Sequence, residues 1–320
     1  MRIDVHAHYF PSEYLELLSR LAGRDRETAH RLPGGRLPLD ERLGLLDEVG
    51  IDVQVLSEGQ RQPYLPRAAD AVAAARLAND LYADACRTYR GRFAAFAAMP
   101  LPHIDAALAE LERSLDTLGM VGVTLGCSVA GRWLDDPLFE PFWAELDRRG
   151  TVVFLHPVGA GVLEGDDPYG LTWMVGAPFE DTVAALRLVL SGLTARYPKV
   201  RIIVPHLGGT LPFLIERLRY SAEAQRAAGR SLPPADGLVD RLRRLWFDTV
   251  NTSPDALRCA CGAFGTDRLL LGTDFPYLYG PRLRRCVTYI EEAGLGAAET
   301  AAILGGNAQA LLGLQASAPS

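Results

Sequence analysis

A (β/α)8 barrel is the fold class that this 320-residue sequence predicts. Short β-branched or apolar runs recur eight times along the chain, and amphipathic stretches lie between them. A chain of this length could form two ordinary domains, but α/β barrels of this size are routinely one unit. We therefore expect a single TIM-barrel domain over residues 1–314, with a flexible tail at 315–320.

The expected strands follow one another with Gly, Pro or polar residues at most of their boundaries. They are 2–8, 51–57, 93–98, 120–126, 151–156, 201–206, 245–250 and 268–274. The stretches expected to form helices are Asp40–Val49, Ala68–Tyr89, Ile104–Leu118, Pro137–Arg149, Glu180–Leu193, Leu211–Arg226 and Leu283–Ala293. Residues 10–39, rich in Arg, Gly and Pro, form an insertion after strand one that we expect to cover the C-terminal mouth of the barrel.

Composition excludes several classes of protein. The chain is 48% hydrophobic and 22% charged, which is ordinary for a globular protein. Its net charge of -6 argues against a nucleic-acid partner, which would need a basic face. No apolar run reaches the roughly 18 residues of a membrane span, and the N-terminus does not resemble a signal peptide. The five scattered cysteines fit reduced thiols, so we expect a cytoplasmic protein with no membrane partner.

The candidate chemistry lies at the predicted strand ends. The first strand ends in the pair His6 and His8, whose side chains point the same way because they are two residues apart. Catalytic groups of barrel enzymes lie at the C-terminal ends of strands. Five candidates fall there in this sequence: His6, His8, His156, His206 and Asp274.

A metal site is the simplest reason for this convergence. A single histidine at a strand end is more often a hydrogen-bonded loop residue, and the His-Ala-His motif alone would be weak support. Three imidazoles and a carboxylate, however, form a divalent-metal set suited to zinc, with an open position for water. His30 and His103 do not end strands, so we interpret them as loop or helix-start residues without chemistry.

Longer motifs carry a family resemblance. IDVHAHYFP, PLFEPFWAEL, FLHP, WMVGAPFEDT, HLGGTLPFLIERL and LLGTDFPY span nearly the whole chain. They resemble the amidohydrolase superfamily, and within it the branch of 2-amino-3-carboxymuconate 6-semialdehyde decarboxylase and related aromatic-acid decarboxylases. The resemblance implies one divalent metal ion, Zn²⁺ or alternatively Mn²⁺, on the ligands His6, His8, His156 and Asp274.

The same resemblance assigns the remaining roles. It implies that His206 stays off the metal as the acid/base, that Asp274 is also catalytic, and that Arg217 contacts a substrate carboxylate. A solvated helix arginine is the competing interpretation of Arg217. Trp173 and Phe275, near the barrel mouth, are candidates for walling the substrate, although aromatic residues there are also ordinary packing.

Two further expectations concern the metal count and the assembly. Dinuclear relatives bridge two metals with a carboxylated lysine at the end of strand four, and Lys199, the single lysine, precedes strand six. This favours a mononuclear site. The resemblance also implies a homodimer in which a second arginine reaches the substrate from the partner subunit, and Arg31, Arg36 and Arg42 are not distinguished as that residue. Pro157-Val158 replaces the Pro-Trp common in the branch, which leaves the substrate open.

The leading functional hypothesis is a nonoxidative decarboxylase of an aromatic or muconate-semialdehyde-like carboxylic acid. A divalent metal lowers the pKa of bound water and polarises bound oxygens, which suits decarboxylation and hydrolysis alike. A hydrolase or hydratase that uses the same site is therefore the alternative. A nonenzymatic binding barrel is disfavoured because all five site residues are present.

Overall fold

Eight parallel strands form the predicted barrel. The computed structural model describes residues 1–22, 37–159, 167–230 and 237–315. The barrel strands are β1 (Ile3–His8), β2 (Val53–Ser57), β3 (Phe93–Ala98), β4 (Gly122–Gly126), β7 (Val152–His156), β8 (Arg201–Val204), β9 (Trp246–Asp248) and β10 (Leu269–Leu270), paired in that order. Hydrogen bonds from Val5 N to Leu271 O (2.9 Å) and from His8 N to Phe275 O (2.7 Å) close the barrel between its last and first segments. The predicted fold class is confirmed.

The helices surround the strands in the expected alternation. They are α1 (Ser12–Ala22), α2 (Leu39–Val49), α3 (Ala68–Thr88), α4 (Ile104–Glu112), α5 (Glu140–Arg149), α6 (Ala177–Leu190), α7 (Leu193–Arg196), α8 (Leu211–Ala227), α9 (Leu238–Leu242), α10 (Pro254–Phe264), α11 (Pro281–Glu291), α12 (Ala297–Ala301) and α13 (Asn307–Leu312). Wider π-helical turns occupy Arg113–Thr117, Thr172–Gly176 and Ala302–Gly306. Gly50 and Gly150 end α2 and α5 in the left-handed conformation, which a Cβ would disfavour.

The sequence did not predict one small hairpin. Strands β5 (Ser128–Val129) and β6 (Arg132–Trp133) pair antiparallel just beyond the end of β4. Ala130 and Gly131 between them both have positive φ, as a two-residue hairpin turn requires. Apolar alternation over two residues is too short to be detected in a sequence.

A bulge in β1 decides which of its side chains face the site. The register with β2 shifts between Asp4 and Ala7. Ile3 and Val5 belong to the buried apolar cluster that also contains Val55, Phe96 and Phe154, whereas His6 and His8 meet the other site residues above it. Strict alternation would have put His6 on the opposite face from Val5, so the extra residue of the bulge lets one strand supply both the apolar floor and the two histidines.

Only part of the predicted insertion can be placed. Its first helix, α1, packs on α3 and buries Tyr14 and Leu18, and the Tyr14 hydroxyl donates to Arg61 O (2.5 Å). Residues 23–36, on which most of the expected lid falls, lie outside the described residues, as does the tail from 316 onward. Among the residues that are described, no helix combines the length and apolar character needed to cross a bilayer.

Candidate metal centre and active site

Four side chains converge at the C-terminal mouth of the barrel. His6 and His8 come from the end of β1, His156 ends β7, and Asp274 follows β10; their potential ligand atoms all lie within 4.8 Å of one another. The Asp274 Oδ1 atom lies 3.0 Å from His8 Nε2 and 3.2 Å from His6 Nε2. His156 Nε2 lies 3.2 Å from His8 Nε2. The structure thus brings together the four residues expected as ligands.

The hydrogen bonds on the far side of each ring show which nitrogen faces inward as a lone pair. His6 Nδ1 lies 2.6 Å from Asp248 Oδ2, and His156 Nδ1 lies 2.8 Å from the carbonyl oxygen of Pro157. His8 Nδ1 lies 3.1 Å from Ser57 Oγ, whose own proton goes to Ala7 O. Carboxylate and carbonyl oxygens only accept, so each Nδ1 carries the proton and each Nε2 presents a lone pair.

Three lone pairs and a carboxylate therefore point at one place, and that arrangement fits a cation. The His6 Nε2 atom is buried without a hydrogen-bond partner. Burial opposes a charge on His6, but Asp248 and Asp274 outweigh it and raise its pKa to about 10, so the two carboxylates favour positive charge at this place. Without a metal, a second proton on His6 Nε2 meets that preference; a metal ion would take the place of this proton and leave the Nε2 lone pair as its ligand. Nitrogen ligands oriented through their second nitrogen are the usual arrangement of protein zinc sites. The residues present fit one divalent metal ion.

Asp248 is a site residue that the sequence analysis missed. It ends β9 and is fully buried. Its Oδ2 holds His6, and its Oδ1 accepts from the backbone N–H groups of His206 and Val250, both at 2.9 Å. The predicted strand ran to residue 250 and so placed Asp248 inside it; the observed strand ends at Asp248, where the strand-end signal that identified the histidines would have found it.

His206 stands apart from the four convergent residues. Its Nδ1 lies 2.8 Å from Asp181 Oδ2, and its ring centroid is 5.3 Å from that of His6. Burial disfavours the imidazolium, but the Asp181 carboxylate outweighs burial and raises the pKa of His206. Because Asp181 occupies Nδ1, Nε2 is the nitrogen available to a substrate. Asp181 lies on α6, in the quoted WMVGAPFEDT motif, but only the tertiary structure shows that it meets His206.

The backbone around His206 turns sharply to present the ring. His206 and Leu207 both have positive φ, at 54° and 57°. The turn continues through Gly209, where a Cβ would lie 2.0 Å from Pro178 O. Only glycine can occupy that position, so the Gly-Gly of the HLGG motif is needed for the close approach of this turn to α6.

Asp4 ties the first strand to the segment that carries Asp274. Its Oδ1 accepts from the N–H groups of His6 (3.1 Å) and Thr273 (3.0 Å), and its Oδ2 accepts from Gln54 Nε2 and Thr273 Oγ1, both at 2.6 Å. Complete burial of Asp4 raises its pKa to about 6 despite these bonds. Asp4 therefore holds in register the two segments that carry His6, His8 and Asp274.

A cavity of ≈ 190 Å³ lies over the convergent residues. It is lined by Gln60, His156, Pro157, Trp173, Ala177, His206, Asp274 and Tyr277. A larger cleft of ≈ 560 Å³ shares Gln60, Trp173 and Tyr277 with it and extends outward along Arg61, Tyr64 and the β5–β6 hairpin. We call these two spaces the inner cavity and the outer cleft. The outer cleft is large enough for the part of a substrate that does not react.

The three expected substrate-binding residues fall in different places. Trp173 lines both spaces and is half exposed. Phe275 is fully buried among Ala7 and Leu283, with the Arg42 guanidinium 4.4 Å from its ring centroid, and does not line either space. Arg217 is exposed on α8 and is also absent from both linings. Asp274 has a positive φ of 56°, so the chain turns there, and Phe275 after the turn pairs with Ala7 of β1 and packs into the core.

The two histidines interpreted as residues without chemistry do not join the convergent residues where they are described. His103 Nε2 bonds Leu65 O at 2.9 Å, away from the ligand cluster, and His30 lies outside the described residues. Strand β4 ends in Leu125 and Gly126 without a lysine, and Lys199 is exposed at the start of β8.

Comparisons with known proteins agree with this geometry. A sequence model of the amidohydrolase family matches residues 3–314. The gamma-resorcylate decarboxylase of Rhizobium radiobacter is 34% identical over 269 residues, covering 79% of this chain and 80% of the relative. The 2-amino-3-carboxymuconate-6-semialdehyde decarboxylase of Dictyostelium discoideum is 29% identical over 277 residues, covering 86% and 76%.

A solved structure adds a metal-bound counterpart. The dihydroxybenzoic acid decarboxylase of a Polaromonas species, determined with bound manganese and the inhibitor 2-nitroresorcinol, is 26% identical with a TM-score of 0.79. The match covers 98% of this chain and 96% of that one. Together these findings confirm the resemblance drawn from the sequence motifs.

Proposed function

Because the chain belongs to the amidohydrolase family, we propose that it is a metal-dependent, nonoxidative decarboxylase of a small aromatic carboxylic acid. One observation carries the proposal: three imidazole lone pairs and Asp274 converge, while His206 is held outside that cluster by its own carboxylate, Asp181. This division provides a metal site and a separate proton donor at one cavity. The relatives are named as decarboxylases, which favours CO2 release over the hydrolase or hydratase alternative.

His6, His8, His156 and Asp274 would hold the ion. When bound, a divalent metal acts as a Lewis acid that orients and polarises substrate oxygens. We propose Zn²⁺, which suits an imidazole and carboxylate set, with Mn²⁺ as the alternative that the Polaromonas structure supports. Among the described residues such a ligand set occurs once, so we expect one ion per chain.

His206 would deliver the proton. Decarboxylation replaces the C–C bond to the carboxylate with a C–H bond at the same carbon, so a donor must face that carbon. His206 lines the inner cavity beside Asp274, and Asp181 stabilises its protonated form. The proton would leave Nε2 for the substrate carbon, CO2 would depart, and solvent would restore the proton.

The position of Arg217 supports a homodimer in which it acts across the interface. Phe213, Arg217 and Tyr220 are spaced i, i+4 and i+7 and so share one face of α8, where Phe213 is 85% exposed and Tyr220 is 65% exposed. Met174 on the neighbouring turn is 71% exposed, and a Thr182–Thr210 hydrogen bond of 3.0 Å joins the beginnings of α6 and α8. We propose that this apolar face meets a second copy and that Arg217 serves the active site of the partner.

Mixed dimers test this arrangement. Chains with His206→Ala and chains with Arg217→Ala should each be inactive alone, but together should regain about a quarter of the wild-type activity by random pairing. In the mixed dimer, one site keeps its own His206 and receives an intact Arg217 from the other chain. If Arg217 acted within its own chain, the mixture would stay inactive. A monomeric mass by light scattering would contradict the proposed dimer.

A substrate panel tests the reaction itself. The metal-loaded protein would be incubated with ortho-hydroxylated benzoic acids, and CO2 and the decarboxylated product would be measured. CO2 in equal amount to the product is expected. A hydrolysed or hydrated product without CO2 would instead support the alternative chemistry.

The five cysteines are all free thiols, in keeping with the cytoplasmic location that we propose.

A further inference from the structure

The outer cleft contains a positive charge that the proposed chemistry does not use. Arg61 lines this cleft, and among the described residues that line it, Arg61 is the one with a formal charge; the others are apolar, amide, hydroxyl or phenol side chains. The Arg61 Nε atom is buried and has no hydrogen-bond partner. Within the described part of the chain, the guanidinium of Arg61 takes part in no ion pair.

The backbone fixes Arg61 beside the metal ligands. Gly59, two residues earlier, has a φ of 54° and lies so close to His8 that a Cβ there would be 2.6 Å from the ring. The Arg61 N–H donates to Glu58 O (2.9 Å), and Arg61 O accepts from the Tyr14 hydroxyl. The loop that carries Arg61 is therefore packed against the site and held at both ends, so the arginine is a wall of the cleft.

A partly buried guanidinium without a partner among the described residues favours an anion of matching shape. Burying a charge without a partner is costly, and the planar fork of arginine pairs with carboxylates through two parallel hydrogen bonds. The reacting carboxylate does not fill this role, because His156, His206 and Asp274 line the inner cavity and Arg61 does not. The partner of Arg61 must lie at the other end of the substrate.

We propose that the substrate is an aromatic dicarboxylic acid, whose second, non-reacting carboxylate pairs with Arg61 in the outer cleft. This inference rests on the proposed function for the reacting end only. Gln60, Trp173 and Tyr277, which line both spaces, would flank the aromatic ring between the two carboxylates. Gln60 donates to the Tyr277 hydroxyl, which fixes one side of that passage.

Binding of two unreactive probes tests the assignment on the metal-loaded protein. Isophthalate carries two carboxylates and benzoate carries one, so calorimetric titration with each isolates the second group. Wild type should bind isophthalate about 10- to 100-fold more tightly, the range of a charge-assisted hydrogen bond. Arg61→Met should abolish that preference and leave benzoate affinity unchanged, and Arg61→Lys should retain part of it because the charge remains. Arg67→Met, a change at a 79% exposed arginine near the same loop, should alter neither.

The outcomes separate this inference from the proposed function. Equal binding of both probes by wild type, or equal weakening of both in Arg61→Met, would overturn the role of Arg61. In parallel, CO2 release from 4-hydroxyisophthalate and salicylate would be measured. If the preference for isophthalate disappears in Arg61→Met, but wild type releases no CO2 from either acid, the role of Arg61 is supported and the decarboxylase is contradicted. If both acids are turned over, and kcat/KM for each is the same in wild type and Arg61→Met, the decarboxylase is supported and the role of Arg61 is contradicted. If Arg61→Met does not fold, Arg61→Gln replaces it under the same criteria.

Discussion

The inner cavity and the outer cleft share three residues but are built from different parts of the chain. The inner cavity takes its chemistry from the ends of β1, β7 and β10 and from the turn after β8, all anchored in the barrel. The outer cleft is walled by the loop after β2, the β5–β6 hairpin and the turn at Trp173. Strand ends hold groups rigidly, whereas loops vary without disturbing the core. On the proposed function, this comparison predicts that the inner cavity sets the reaction and the outer cleft sets the choice of acid.

Removing the proposed anionic ligand should have the largest effect on activity. Its loss would locate the reaction in the inner cavity. Asp274→Asn keeps the shape but loses the only carboxylate among the four proposed ligands, so we expect loss of the metal and of turnover. Elemental analysis and a CO2 assay measure both. Asp267→Asn, at an exposed aspartate before β10, is the matched control and should behave as wild type. Full metal content and activity in Asp274→Asn would place the site elsewhere.

A smaller effect is expected at Asp181, which contacts His206 and not the ligand cluster. Asp181 raises the pKa of His206, so the protonated donor persists to higher pH in wild type. In Asp181→Asn that pKa falls, and the limb on which activity declines with rising pH should move to lower pH. At neutral pH we expect a loss of about 10-fold or more in kcat, with recovery on acidification and unchanged metal content. A pH profile that does not move would make Asp181 a purely structural residue.

The smallest effect is expected in the wall shared by the two spaces. Trp173 is 49% exposed and would contact the substrate ring. Trp173→Ala should raise KM by about 2- to 10-fold, the range of one aromatic contact, with little change in kcat. Steady-state kinetics with an accepted acid measure this. A large fall in kcat at constant KM would instead assign Trp173 to the chemistry of the inner cavity.

The difference between the two spaces also explains what the sequence could predict. Histidines and Asp274 at the ends of apolar runs were enough to predict the fold and the convergence of the four expected ligands, because strand period and barrel topology fix where such residues meet. Asp181 comes from a helix, and its contact with His206 depends on how α6 packs against the turn at Gly209. No local pattern encodes that distance.

Two other differences have local causes that a regular pattern hides. Alternation alone would separate Val5 from His6, and the bulge that places them both toward the barrel interior is visible only in the pairing with β2. Phe275 was expected to wall the mouth, but the chain turns at Asp274, whose φ is positive, and Phe275 packs into the core with Ala7 and Leu283. Arg61, in a loop without periodicity, gave no signal at all.

The division of the histidines into three ligands and one proton donor is tested most directly by measuring metal content and rate on His206→Ala beside His156→Ala. We predict that His206→Ala retains about one metal ion per chain while losing about 10²-fold or more in kcat. His156→Ala should lose metal and activity together, because its Nε2 is one of the three convergent lone pairs. If His206→Ala instead loses its metal along with its activity, His206 is a ligand, and the separation of metal site from proton donor is wrong.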